Sequence, residues 1–184
     1  IDLPEVTLVG VVDADLALHL PDFRAAERTF QLMTQVAGRA GRGERAGQVV
    51  VQTRQPGHHA LVRASAHDVS GFLADEVVTR RDPPYPPHLA LANLVASGLD
   101  EAAVARRAAA LADWCHALAD RHQLDLTVLG PAPAPIARLK ERWRWHVLLK
   151  GSSETIGRVV RTLAPRLGGD EVRIALDRDP VSLL

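Results

Sequence analysis

The sequence predicts an α/β protein in two parts: a strand-helix-strand-helix half-layer, then an α+β sandwich domain of βαββαβ order. Three observations carry this. Two β-branched runs, 5–12 and 47–53, are each followed by a segment with helical spacing; the knot Asp82-Pro-Pro-Tyr-Pro-Pro87 interrupts the chain; beyond it the alternation of strand and helix patterns starts again.

The run Val6-Thr-Leu-Val-Gly-Val-Val12 reads as a strand buried on both faces, closed by Asp13 and Asp15. Pro21-Asp22 opens a helix with Asp22 as N-cap, and Phe23, Ala26, Phe30, Met33 and Ala37 recur at three- and four-residue steps until Gly41 and Gly43 end it. A second strand, Gly47 to Thr53, and a helix from His59 to about His67 complete the pattern, which implies parallel pairing. Two strands alone make no stable sheet, so this is half a domain. A helix over 71–81 runs into the proline knot, whose four prolines leave few donors for helix or ladder. We therefore divide the chain into 1–66, a helical linker 67–87, and 88–184.

In the last part, strand 88–96, helix 100–121, strands 124–130 and 142–150, helix 153–166 and strand 171–177 suggest a ferredoxin-like split sandwich. Leu111, Cys115 and Leu118 share a stripe of the long helix, which makes Cys115 a small buried hydrophobe. Asp100-Glu101 caps that helix.

Composition narrows the function classes. With 22 Lys+Arg against 22 Asp+Glu, total charge makes no case for nucleic acid, and a basic surface has to be local. One cysteine supports neither an internal disulfide nor a cysteine zinc site, no metal site is expected, and His58-His59 reads as a helix start. No apolar run spans a bilayer, so a soluble, cytoplasmic chain with no membrane partner is expected. The chain opens at Ile1 and its only methionine is Met33, so the natural start is expected upstream.

Chemistry concentrates in Gln35-Val-Ala-Gly38-Arg39-Ala-Gly41-Arg42-Gly43. The four-residue step puts Gln35 and Arg39 on one helix face, and Arg42 follows at the end. Guanidinium groups offer fixed donors and a permanent charge to the oxygens of a transferring phosphoryl group, and glycines allow close approach. The plainer alternative is a basic helix end complementing the dipole, with a glycine C-cap.

Q-x-x-G-R-x-G-R resembles the sixth motif of superfamily 2 helicases. With Asp13-Ala-Asp15-Leu and Pro21-Asp22-Phe23-Arg24-Ala25-Ala26-Glu27-Arg28, and with Leu129-Gly-Pro-Ala-Pro-Ala-Pro135, Trp143-Arg-Trp145 and Asp177-Arg-Asp179-Pro-Val181, it resembles the PriA (primosomal protein N′) family of replication-restart helicases over essentially the whole chain. The resemblance implies a partial RecA-like helicase lobe over 1–66, carrying motifs five and six, and the family's C-terminal domain from about 88. It implies that Gln35, Gly38, Arg39 and Arg42 face the triphosphate, with the arginines finishing catalysis, and that Asp13, Asp15 and Arg24 couple nucleotide to DNA. It also implies ATP and Mg in the intact parent, zinc only in an upstream region, and an ATP-dependent 3′-to-5′ helicase that recognises branched and single-stranded DNA. Single-stranded-DNA-binding protein and other primosome proteins are its implied partners. G-x-x-x-x-G-K-[ST] and D-E-x-H are missing here, so this stretch alone is expected to bind no cofactor and hydrolyse no ATP. The rival reading is a DNA-binding, protein-docking scaffold that has lost ATP turnover.

A second signal is Arg138 to Lys150, with five Lys or Arg against Glu141 alone. Strand alternation puts Trp143, Trp145, Val147 and Leu149 on one face and Arg142, Arg144, His146, Leu148 and Lys150 on the other. We read the tryptophans as core and Arg142, Arg144, His146 and Lys150 as a displayed DNA-binding surface; base stacking on the tryptophans and a solvated edge paired with carboxylates are the alternatives. Arg158, Arg161 and Arg166 extend this surface if they point the same way.

Overall fold

Alternation shapes the first strand pair of the computed structural model, which describes residues 6–40, 47–168 and 171–183. β1 (Leu8–Val11) pairs in parallel with β2 (Gln48–Val51), Val9 opposite Val49 and Val11 opposite Val51. Val11 and Val51 turn toward a core of Phe30, Met33, Leu61 and Phe72, whereas Leu8 and Val50 are 61% and 55% exposed. The expectation of a strand buried on both faces is corrected: among the described residues the layer has two strands, so only one side of it meets the core.

A short helix α1 (Asp15–Leu18), unforeseen, follows β1. The next helix, α2 (Ala25–Ala40), starts later than Asp22, whose Oδ1 accepts the Arg24 N–H at 2.9 Å and whose carbonyl accepts the Ala25 N–H, so Asp22 closes the turn ahead of the helix. Ala26, Phe30 and Met33 form the inward stripe, as their spacing requires. Helix α3 (His59–Ser65) is capped by His58 Nδ1, which accepts the Ala60 N–H at 3.2 Å. Phe30 stacks on Phe72 of α4 (Val69–Thr79), centroids 4.2 Å apart.

The chain divides into two units, Ile1–Thr79 and Arg80–Leu184. The second runs β3 (Ala90–Gly98), α5 (Glu101–His122), β4 (Leu126–Leu139), β5 (Arg142–Gly151), α6 (Ser153–Leu163), a 3-10 turn Ala164–Arg166 and β6 (Arg173–Arg178). The four strands form an antiparallel sheet in the order β4-β5-β3-β6. Asp100 and Ser152 cap α5 and α6 through their side-chain oxygens. Val104, Ala108, Leu111 and Cys115 of α5 and Ile156, Val159 and Leu163 of α6 bury against Ala92, Leu94, Val147 and Leu149. Cys115 is fully buried and its thiol is pushed up to about 11 by that burial, as suits an inert core residue.

β4 runs well past the expected end at 130, through Pro131, Pro133 and Pro135. It can do so because it is an edge strand, where a missing N–H costs no ladder bond. The ladder shifts register between Leu129 and Ala132, where Gly130 has φ +98° and a Cβ would stand 2.8 Å from the His146 carbonyl oxygen.

Candidate functional site

In the first unit, the residues expected at a nucleotide fall into two groups. Asp15, at the start of α1, is buried; its Oδ1 accepts the Thr53 hydroxyl at 2.5 Å and its Oδ2 the Arg54 N–H at 2.7 Å. The Thr53 bond first, then the Arg54 N–H, holds the carboxyl below its usual range. His19 Nδ1 donates to the Asp15 carbonyl at 2.8 Å, which leaves Nε2 to accept from Gln55 Nε2 at 2.9 Å. Asp15 thus ties α1 to the segment after β2, each carboxylate oxygen accepting one hydrogen bond from the Thr53–Arg54 stretch. Asp13, just before it, has φ 55°, a left-handed conformation that aspartate tolerates. Arg24 grips Glu27 through Nε at 3.0 Å and through a second bond from Nη2, and Arg28 meets Asp22 at 3.2 Å. The Arg24 guanidinium is thus held against Glu27 of α2, and its hydrogen bond to that carboxylate, then the carboxylate's charge, favours its charged form.

The other group stays open. Because α2 continues through Ala40, Gln35 and the backbone of Arg39 share a face, about 200° around the helix from Met33. Gln35 and Gly38 are exposed, and a Cβ added at Gly38 meets no atom within 4 Å. The side chain of Arg39, and Gly41, Arg42 and Gly43 entirely, lie outside the described residues.

In the second unit the alternation of β5 holds: Trp143 and Trp145 pack on the helix-covered core beside Val147 and Leu149. The opposite face differs from the expected row of displayed cations. Lys150 is only 5% exposed, and its ammonium lies 3.7 Å from the Tyr85 ring centroid, so it is a buried cation and no part of a displayed surface. Burial lowers its pKa, and burial also lowers that of His146, assisted by the charge of Arg144. Arg142 donates to the Ser97 carbonyl at 3.1 Å and Arg144 to that of Ile136 at 3.3 Å, both still partly exposed. α6 packs on the tryptophan side, so Arg158, Arg161 and Arg166 lie across the sheet and do not extend the β5 surface.

The sequence reading did not single out Arg173. It is exposed on β6 and is the register partner of Ser97, which is also the partner of Arg144. The signal was the alternation of β6 itself, but joining it to β5 needs the strand order. Among the described residues, no group of three or more His, Cys, Asp or Glu is arranged to hold a metal ion, and no helix is long and apolar enough to cross a membrane.

Comparison with known proteins supplies an independent line. The family model of the primosomal protein N C-terminal domain matches residues 81–181. The whole chain is 39% identical over 189 residues to the replication restart protein PriA of Bacillus subtilis, of which it covers 23%. It is 39% identical over 188 residues to that of Synechocystis sp. and 38% over 186 to that of Treponema pallidum, covering 22% and 28% of them. The chain therefore spans about a quarter of the length of these curated relatives.

Proposed function

We propose a part in replication restart for this chain, and the premise is its family: it belongs to the family of the primosomal protein N C-terminal domain. In this reading the first unit is the end of a RecA-like helicase lobe, and the second is a ferredoxin-like sandwich that meets DNA. The full-length protein is an ATP-dependent 3′-to-5′ DNA helicase of the cytoplasm that engages branched and single-stranded DNA and assembles with other primosome proteins.

One observation supports the nucleotide side above others. At the head of Q-x-x-G-R-x-G-R, Gln35 and Gly38 stand exposed on the side of α2 turned away from its packed stripe, with open space where a glycine side chain would be. The residues this reading assigns to a triphosphate are Gln35, Gly38, Arg39 and Arg42, while Asp15 ties α1 to the segment after β2. ATP with Mg supplies the phosphoryl chemistry when bound, and this chain's share is donors and charge at the γ-phosphate.

The test is made in the full-length protein. Arg39→Ala and Arg42→Ala are expected to lower DNA-stimulated ATP hydrolysis by about 10³-fold or more with DNA binding retained. An unchanged rate removes these arginines from the mechanism and favours the scaffold reading. On the DNA side, Arg142→Glu with Arg144→Glu weakens binding and flattens its salt dependence.

A further inference from the structure

The side of the second unit's sheet away from α5 and α6, covered by Tyr85 at its Lys150 end, carries at its other end an arrangement that β5 alone does not reveal. Ser97 of β3 is paired with Arg144 on one side and Arg173 on the other, so the three occupy one row across the sheet. Directly opposed residues point to the same face, and this is the face away from α5 and α6. The two arginines stand two strand spacings apart, about 10 Å between backbones. Arg142 joins them from the end of β5 by donating to the Ser97 carbonyl.

The next row is Ala175, Val95 and His146, in which Ala175 is exposed and Val95 partly so. It forms a low apolar shelf ending at His146, whose charged form is disfavoured by burial and by Arg144. Within β6 the carboxylate on this face is Asp177, four residues from Arg173, about 14 Å at the rise of a strand, and Glu171 lies just ahead of the strand. A row of fixed cations beside a shelf with no long side chain matches a single nucleic-acid strand: phosphates along the row, sugars and bases over the shelf.

We propose that Arg173, Ser97 and Arg144 form a track for the phosphates of single-stranded nucleic acid, with Val95 and Ala175 as its floor. This rests on the reading of the second unit as the DNA-meeting part. It adds Arg173 and the floor, takes Lys150 out, and puts the arginines of α6 on the wrong side to take part.

The 184-residue chain is titrated against fluorescein-labelled oligothymidylate of about 20 nucleotides by anisotropy over a range of KCl. Arg173→Ala is expected to weaken binding about fivefold and to reduce the salt slope by about 0.7, the value of one phosphate contact on a single strand. Arg173→Lys restores the slope, Ala175→Asp weakens binding more than Arg173→Ala, and Arg106→Ala, exposed on α5 across the sheet, changes neither affinity nor slope. An unchanged slope in Arg173→Ala, or an equal loss in Arg106→Ala, overturns the track. If Arg142→Glu with Arg144→Glu still weakens binding in that case, the DNA reading of this unit survives and only the track falls. If the wild-type chain binds an acidic polyglutamate peptide and no oligonucleotide, both fall together.

Discussion

The ammonium of Lys150 rests 3.7 Å from the centre of the Tyr85 ring, joining the end of β5 to the proline knot that opens the second unit. A desolvated cation over a ring contributes about 1–2 kcal/mol, so Tyr85→Ala should cost at least about that much. Lys150→Met keeps the length and removes the charge; stability should stay within about 1 kcal/mol of wild type, because an apolar side chain of similar volume needs no compensating partner. Its salt slope for oligonucleotide binding should not move. Urea unfolding followed by tryptophan fluorescence reads the stability, since Trp114, Trp143 and Trp145 all belong to this unit.

Two histidines make stability depend on pH. Burial is the first cause holding both His58 and His146 below the ordinary 6.5. The charge of His59 adds to the effect at His58, with Glu76 and Asp15 opposing it, and Arg144 adds to it at His146. A base whose pKa is depressed on folding takes up its proton first in the unfolded chain. The stability is therefore fully present above 6.5 and is lost as pH falls below it through the folded values. Urea midpoints should be flat from about pH 8 to 7 and fall steadily toward about pH 5. His58→Asn keeps an N-cap acceptor for Ala60 and should flatten the pH profile followed by far-UV circular dichroism, to which both units contribute, while the tryptophan signal of the second unit alone keeps its slope.

The turn between β4 and β5 has both central residues left-handed, Lys140 at φ 49° and Glu141 at φ 62°. This conformation suits a two-residue hairpin and asks for Asn-Gly. Glu141→Gly should therefore stabilise the unit by about 0.5–1 kcal/mol, after subtracting a few tenths for the exposed Arg138–Glu141 ion pair. A rise in the urea midpoint with an unchanged m-value is the expected result; a fall would mean that the ion pair outweighs the backbone strain.

Periodicity made the inward stripe of α2, the buried face of α5 and the two-faced character of β5 legible before any coordinates. What it could not reach were partners distant in sequence. Asp15 accepts hydrogen bonds from residues 38 and 39 positions away, a latch between α1 and the segment after β2 that no local pattern announces. Lys150 follows the alternation of its strand faithfully, yet the ring that buries it comes from the proline knot, where local chemistry says only that no helix or ladder forms. Those same local rules stopped β4 at its first proline, because whether a strand lies at a sheet edge is a property of strand order. The matching reason kept Arg173 from being singled out: its neighbour Arg144 is reached only through β3.

Gly38 gives the sharpest separation of stability from function. It sits in the last turn of α2, where a Cβ meets no atom within 4 Å, so alanine brings helix propensity without a clash. Gly38→Ala should stabilise the 184-residue chain by about 0.5–1 kcal/mol, seen as a higher urea midpoint by circular dichroism. In the full-length protein the same methyl group would enter the space the proposed nucleotide must approach, and ATP hydrolysis should fall even as the fold gains. A variant that is both more stable and fully active would show that this face of α2 meets nothing during turnover, leaving Gln35 and Gly38 as parts of a helix end shaped only by its own chain.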